Sequence, residues 1–440
     1  MVLRSYAQKR LKCSLALTLI LGLSCASHAQ SSDAGPTDLQ SYLEQAQAAN
    51  PQLKAFEARY EAAMQRIPQA SALPEPRFQI THFVESVQTR TGPQENVFML
   101  SQTIPWFGKL GSRENAASAE AEALWYAFQS QQLMVARSVA LNFYEYGFTG
   151  HAIELTEENL DLLQQLEPVV EEKVKAGGDL NALLRLKVEV GKIGDQLESL
   201  KQKRIAQSAK LNELLATAAQ STLPWPDWDR PEVIQVDGPS LIVAIETNNP
   251  ELLMLERQVA SAEARREIAR LESFPDITLG FNYIQTGEPE VSPNTPDAGE
   301  DPWGFTVALT IPIWFKKYDA ARAEALASQR ANENEYDNRS NRLRAELSAS
   351  VARLNDANRR LALYGDELLG LAEQAAENSR YSYENGRTGI LEVIDSERSL
   401  LELQLLYWRA ATDAWQQRVI IQTLANQPIL GTFHATQDHE

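Results

Sequence analysis

Gln102-Thr103-Ile104-Pro105-Trp106-Phe107-Gly108-Lys109 is echoed in the second half of the chain by Leu309-Thr310-Ile311-Pro312-Ile313-Trp314-Phe315-Lys316-Lys317. Upstream of each lies a Pro-bounded strand pattern, Pro76-Arg77-Phe78-Gln79-Ile80 and Pro275-Asp276-Ile277-Thr278-Leu279. Further upstream, Asn50-Pro51-Gln52-Leu53 and Asn249-Pro250-Glu251-Leu252 each open a helix-like run. Downstream, each half continues into very long helical stretches broken once near a glycine, at Val174-Lys175-Ala176-Gly177 and Tyr383-Glu384-Asn385-Gly386. The offset between the halves drifts only from about 199 to about 209 residues, a large duplication and not a short solenoid repeat.

The first repeat is placed at 30–215, with strands near 76–85 and 97–105 and helices over 112–175 and 179–215. The second is placed at 241–425, with strands near 276–285 and 303–312 and helices over 319–383 and 389–425. A Pro- and Trp-rich, non-helical bridge (216–240) separates them, and a tail without periodicity (426–440) follows. The helix from Thr37 to Ile67 is expected to end before Pro68. Leu347, Leu354, Leu361 and Leu368 step by seven, as do Leu186, Ile193 and Leu200, which is a coiled-coil beat. Each long helix would reach about 95 Å at 1.5 Å per residue.

Trp303, Phe305, Val307, Leu309 and Ile311 alternate with Gly304, Thr306, Ala308 and Thr310, and Ile277, Leu279, Phe281 and Tyr283 with Thr278, Gly280 and Asn282. By pattern alone, such segments suit a transmembrane β-barrel or hairpins covering a soluble core equally. Three features favour the barrel. Trp106, Phe107, Trp314 and Phe315 sit just past the strand ends, where an aromatic girdle meets headgroups. The connections 85–96 and 285–302 are long and polar, and the chain begins with an export signal. Four strands cannot close a barrel, because open edges in lipid leave backbone groups unpaired. The chain must therefore oligomerise, and three copies would supply twelve strands.

The export signal spans residues 1–29: Arg4, Lys9, Arg10 and Lys12, an apolar run from Leu15 to Leu23, and small residues before a cut after Ala29. An uncleaved anchor, or a lipidated Cys25 as first residue, are the alternatives. Cys13 and Cys25 are the only cysteines, so the mature chain has no disulfide framework. Loss of the four leader cations moves the formal charge from −18 to −22, which argues against nucleic acid as a partner.

No enzyme constellation stands out: there are no catalytic residues, no cofactor loop and no metal cluster among the five scattered histidines. His82 shares an apolar strand face with Phe78 and Ile80, where a packed or lumen-edge histidine is expected. The notable pair is Glu392 and Asp395, on one face at the start of a helix after Gly386-Arg387-Thr388-Gly389. Acids favour helix N-termini for capping reasons alone. Repeated around a symmetry axis, they would instead form rings of like charge that favour cations.

These residues together resemble the TolC-like outer membrane efflux proteins of Gram-negative bacteria, from about residue 37 to 425. The most specific match is the tip from Tyr383 to Asp395, where the family has a Gly turn followed by acids lining the periplasmic aperture. The resemblance implies a mainly α fold with a membrane β-barrel: a homotrimer whose twelve-stranded barrel in outer-membrane lipid continues into an α-helical barrel in the periplasm. Glu392 and Asp395 become aperture residues, Glu392 standing where the family usually has Asp. In the first repeat Leu183 stands where an acid would fall, so the ring should come from the second repeat alone. The tips, with Gly177 and Gly178 and with Gly386, Arg387 and Gly389, would dock on a periplasmic adaptor and an inner-membrane pump of the RND type. Energy comes from the pump, so no cofactor is expected. The exit Ile104-Pro105-Trp106-Phe107-Gly108-Lys109 is similar to that of the branch serving heavy-metal cations. A periplasmic coiled-coil adaptor would show one hairpin flanked by β-rich modules; here hairpins come twice, each after a strand pair.

Overall fold

The computed structural model describes residues 37–233, 236–289 and 296–429; the expected export signal and cleavage site, and the end of the tail, lie outside them. The first repeat runs α1 (Leu39–Ala49), α2 (Pro51–Ala70), β1 (Arg77–Thr89), β2 (Gly92–Ile104), α3 (Lys109–Lys175) and α4 (Leu180–Leu214). The second runs α5 (Gly238–Asn248), α6 (Pro250–Leu271), β3 (Ile277–Thr286), β4 (Trp303–Leu309), α7 (Phe315–Ala362), a π-helical turn (Leu363–Leu368), α8 (Leu369–Glu384) and α9 (Ile390–Leu424). At 67 residues α3 is about 100 Å long. The α7–π–α8 run is its counterpart.

The duplicated Asn-Pro openings have one physical reason. The Asn50 side chain caps α2 by accepting the Gln52 N–H (2.9 Å), and its amide donates to the Leu214 carbonyl (3.0 Å) at the end of α4. Asn249 accepts the Glu251 N–H (3.0 Å) and donates to the Leu424 carbonyl (2.8 Å) at the end of α9. Each Asn thus satisfies an orphan donor at one helix start and an orphan acceptor at a helix end, and each following Pro occupies a first-turn position that needs no N–H. Two matching cores form around these caps. Tyr42, Phe143, Tyr146 and Leu211 pack in one, and Ile245, Leu252, Leu343 and Ile421 in the other.

Several boundaries depart from the sequence expectation. α2 continues through Pro68 to Ala70, because a proline this near a C-terminus forfeits only one hydrogen bond. The 216–240 bridge is irregular over 216–233, and α5 starts at Gly238. Its Trp228 and Trp225 press on Gly147 and Gly150 of α3, where a Cβ would lie 2.1 and 2.9 Å from the indoles. The expected loop 85–96 is mostly strand. β1 and β2 pair down to Thr89 opposite Gly92, leaving Arg90 and Thr91 as the turn, and β1 bulges between His82 and Val87. Gly92 is required there, with φ at 142° and the Gly287 carbonyl 1.9 Å from where a Cβ would stand. β4 ends at Leu309 and not at 312.

Candidate functional site

The four strands form one antiparallel meander, β1-β2-β3-β4. Register aligns Phe78, Leu100, Phe281 and Phe305 in one row, and Ile80, Phe98, Tyr283 and Trp303 in the next. Ile104, Ile277 and Leu309 continue the same face. The opposite face carries Arg77, Ser101, Gly280 and Thr306, then Gln79, Met99, Asn282 and Gly304. One face is therefore apolar and the other small or polar. The apolar face is left bare: Phe305 is 78% exposed, Val307 68% and Phe78 64%. From the Ile277 row to the Tyr283 row is about 20 Å along the strand. His82 lies on the same face as the apolar rows and is exposed; it closes the apolar band in a polar row with Asn96 (2.8 Å) and, through Asn96, Gln285 (2.8 Å).

At the other end of the band, Phe107, Trp314 and Phe315 are exposed. Trp106 turns inward and stacks on Phe274 at 5.5 Å. The Trp106 backbone N–H donates to Asp276 (2.8 Å), which also holds Lys109 at 2.7 Å, and the Lys109 ammonium reaches the Phe274 carbonyl (3.1 Å). This knot ties the first repeat's strand exit to the start of β3. Gly108, with φ at 87°, makes the corner.

At the far end of the long helices, the two tips close in the same way. Gly177 takes φ 98° while the Gly178 N–H donates to the Lys173 carbonyl (2.9 Å); Gly386 takes φ 68° while the Arg387 N–H donates to Ser382 (2.8 Å). Both are left-handed C-caps. Gly178 is held to glycine by crowding, its absent Cβ lying 2.8 Å from the Lys173 carbonyl. Gly389, in ordinary extended backbone, caps α9 without such a need. Arg387 is exposed. The second turn has one residue more than the first, so the starts of α4 and α9 match at Leu180 and Ile390. Leu183 is therefore the equivalent of Val393, both buried, and not of Glu392. Glu392 and Asp395 correspond to Ala182 and Arg185, so the expected acid equivalence shifts by one position.

Glu392 and Asp395 are both exposed near the start of α9. Asp395 reaches Arg398 at 3.5 Å, and Arg398 crosses to Glu189 of α4 at 2.9 Å. The Arg398 hydrogen bond, against some burial, holds the Glu189 carboxyl below the usual range. Glu397 is buried beside Arg380 (3.1 Å); burial pushes its carboxyl up, and the Arg380 charge offsets part of that. Lys173 of α3 sits 3.6 Å over the Tyr383 ring of α8. Sequence reading missed Glu189, Arg380, Glu397, Lys173 and Tyr383. No repeat rule pointed to them: Arg398 and Glu189 lie 209 residues apart, one short of the 210 that matches α4 to α9 at the tips. Between α4 and α9 runs an open groove of about 600 Å³, lined by Leu184, Val188 and Ile394 with Arg185, Asp395 and Arg398. Among the described residues, no group of His, Asp and Glu is placed to hold a metal, and no helix is long and apolar enough to cross a membrane.

A meander with one apolar and one polar face, two open edges and paired long hairpins below is a segment of a channel wall. Residues 42–222 and 241–427 match the outer membrane efflux protein family, and the chain belongs to that family. It is 24% identical over 302 residues to the cation efflux system protein CusC of Escherichia coli K12, an alignment spanning 68% of this chain and 65% of CusC. It is 22% identical over 404 residues to the cobalt-zinc-cadmium resistance protein CzcC of Cupriavidus metallidurans, covering 89% and 90% of the two chains. The structure superposes on the outer-membrane channel OprN with a TM-score of 0.76 at 16% identity, over 89% of this chain and 90% of that one.

Proposed function

We propose that this chain is the outer-membrane exit duct of a tripartite efflux system. Three copies close a twelve-stranded barrel in lipid, and their helices continue as a periplasmic conduit. The observation that carries this reading is the sheet: its apolar face is uncovered and both edges are unpaired, which lipid and further copies of the chain would satisfy. Phe107, Trp314 and Phe315 form the periplasmic-side girdle in this reading, with Trp106 supporting them from within. The tips at Gly177–Gly178 and Gly386–Gly389 meet a periplasmic adaptor, the α4–α9 groove offering its apolar floor to the adaptor's helices. An inner-membrane pump of the RND type supplies the energy, so the chain has conduction and not catalysis as its role.

Glu392 and Asp395, repeated three-fold, form an acidic constriction that favours cations. Metal cations are the cargo this reading favours, supported by the likeness to a cation efflux system protein, CusC, and a cobalt-zinc-cadmium resistance protein, CzcC. The test is purification in detergent followed by native mass measurement and planar-bilayer recording. A trimer with cation-selective currents is expected; a detergent-free, water-soluble monomer would refute the reading. Deletion of the gene is expected to raise sensitivity to divalent transition metals, and unchanged sensitivity would remove metals as cargo.

A further inference from the structure

Past the end of β4 the exposed apolar surface does not stop. Ile311, Ile313, Trp314 (70%) and Phe315 (73%) continue it toward the long helices, and Lys316 and Lys317 follow at once, both exposed. The duplicated exit of the first repeat ends differently. Aligned on Ile-Pro, Lys316 is the counterpart of Lys109, which is only 4% exposed and is held by Asp276 at 2.7 Å. The counterpart of Asp276 is Arg77, so the acid that neutralises Lys109 has no copy. The first turn of α7 holds no acid, and the next acid along it, Asp319, pairs with Arg322. Among the described residues Lys316 and Lys317 make no ion pair; the Lys317 ammonium lies 5.5 Å from the Tyr318 ring centroid.

We propose that this segment docks an anionic phospholipid of the periplasmic leaflet. Lys316 and Lys317 hold the headgroup phosphate, while Trp314 and Phe315 pack on the glycerol and upper acyl chains. Resting on the outer-membrane channel reading, this assignment adds a headgroup chemistry to its aromatic girdle. The stretch is continuous with the bare apolar face of the sheet, whose last residue in β4 is Leu309. A lysine lays its methylene stem along apolar surface and lifts its ammonium into the headgroup layer, where a compact charge suits a phosphate. The sign is local, in a chain of formal charge −18. At the opposite end of the band the connections carry Glu288, Asp297 and Glu300 against Arg90. Two bare cations beside an exposed Trp and Phe therefore mark one leaflet and select its anionic lipids.

Native mass measurement of the detergent-purified protein, titrated with phosphatidylglycerol or phosphatidylcholine, tests it. The wild type is expected to retain phosphatidylglycerol in preference. Lys316→Gln with Lys317→Gln is expected to lower that preference about 25-fold, about five-fold for each lysine beside an anionic surface. Lys316→Arg with Lys317→Arg keeps the charge and is expected to keep the preference. Lys54→Gln with Lys210→Gln, the same change of charge near the Asn50 cap, is expected to leave it unaltered. Equal retention of the two lipids by the wild type, an unaltered preference in the Lys316/Lys317 glutamine variant, or an equal loss in the Lys54/Lys210 control would overturn the proposal; a trimer in the same spectra would leave the channel reading intact. Displacement of the bound lipid by millimolar inorganic phosphate would make this a free-phosphate site and overturn the lipid assignment. A detergent-free, water-soluble monomer would overturn both readings.

Discussion

Replacing Arg398 with Ala probes the link between α4 and α9 at the tip. The Glu189 side chain is only 9% exposed, whereas Arg398 is 51% exposed. Removing one partner of a fully buried pair costs about 3–5 kcal/mol, because the other charge stays desolvated. Here Arg398 stands half in water, and Lys192 remains 3.5 Å from Glu189, so about 1–2 kcal/mol per subunit is the expected loss. In the proposed duct, a widening of the tip that drew α9 from α4 would break this pair, so its energy would belong to the narrower arrangement. At about 1.4 kcal/mol per tenfold, the substitution shifts the narrow-to-wide ratio roughly tenfold per subunit. Planar-bilayer recording of the wild type, Arg398→Ala, Glu189→Gln and the double variant measures it. The single variants are expected to raise conductance or open probability, and the double variant to be less than additive by about 1–2 kcal/mol. Additive effects, or unaltered currents from Arg398→Ala, would refute the role given to this pair. The lowered Glu189 carboxyl adds a sign: its stabilisation is present above the ordinary value of 4.5 and is lost as pH falls through the folded value. Acid below that lowered folded value should therefore mimic the variant in the wild type and change Arg398→Ala less, Lys192 being the partner that remains.

Asn249→Ala removes both a helix cap and the donor to the Leu424 carbonyl, and about 2–3 kcal/mol of stability should go with them by thermal denaturation. Asn249→Asp, which keeps the cap alone, should fall between. Phe305→Arg on the outer face should cost about 2–4 kcal/mol in assembly yield if lipid contacts it, while Thr306→Arg on the opposite face should assemble and instead change ion selectivity; equal effects would contradict the two-faced sheet. Gly92→Ala should block the hairpin turn, read as loss of heat-modifiable mobility on gels. Glu397, whose carboxyl is raised by burial, contributes stability that is full below 4.5 and is lost as pH rises through its higher folded value. Glu397→Gln should therefore flatten stability over that window, and an unchanged profile would assign the pH dependence elsewhere.

The family resemblance and the duplicated plan were legible in sequence because they rest on local rules and on repetition. Heptad spacing, Gly at left-handed caps, Pro at helix starts and period-two strands report themselves residue by residue. The Asn-Pro openings were visible as a motif, yet their meaning was not. That each Asn reaches the last carbonyl of its own repeat, as Asn249 does across 175 residues to Leu424, is a long-range contact that no local pattern carries. The 85–96 segment failed for the converse reason. Its polar residues carry no alternation, but backbone pairing to β2 needs none, and the crowded approach of Gly92 to the Gly287 carbonyl decides the turn.

By itself the sequence determined the four strands, the two long hairpins and the positions of Glu392 and Asp395, since these follow from periodicity and from a turn glycine followed by acids. Only the tertiary structure decided which strand faces align, that Trp106 turns inward while Phe107 stays out, and that Arg398 crosses to Glu189 of α4 while also meeting Asp395 of its own helix. Those outcomes depend on register and on the one-residue difference between the tips, where a single step turns a side chain from one face to the other.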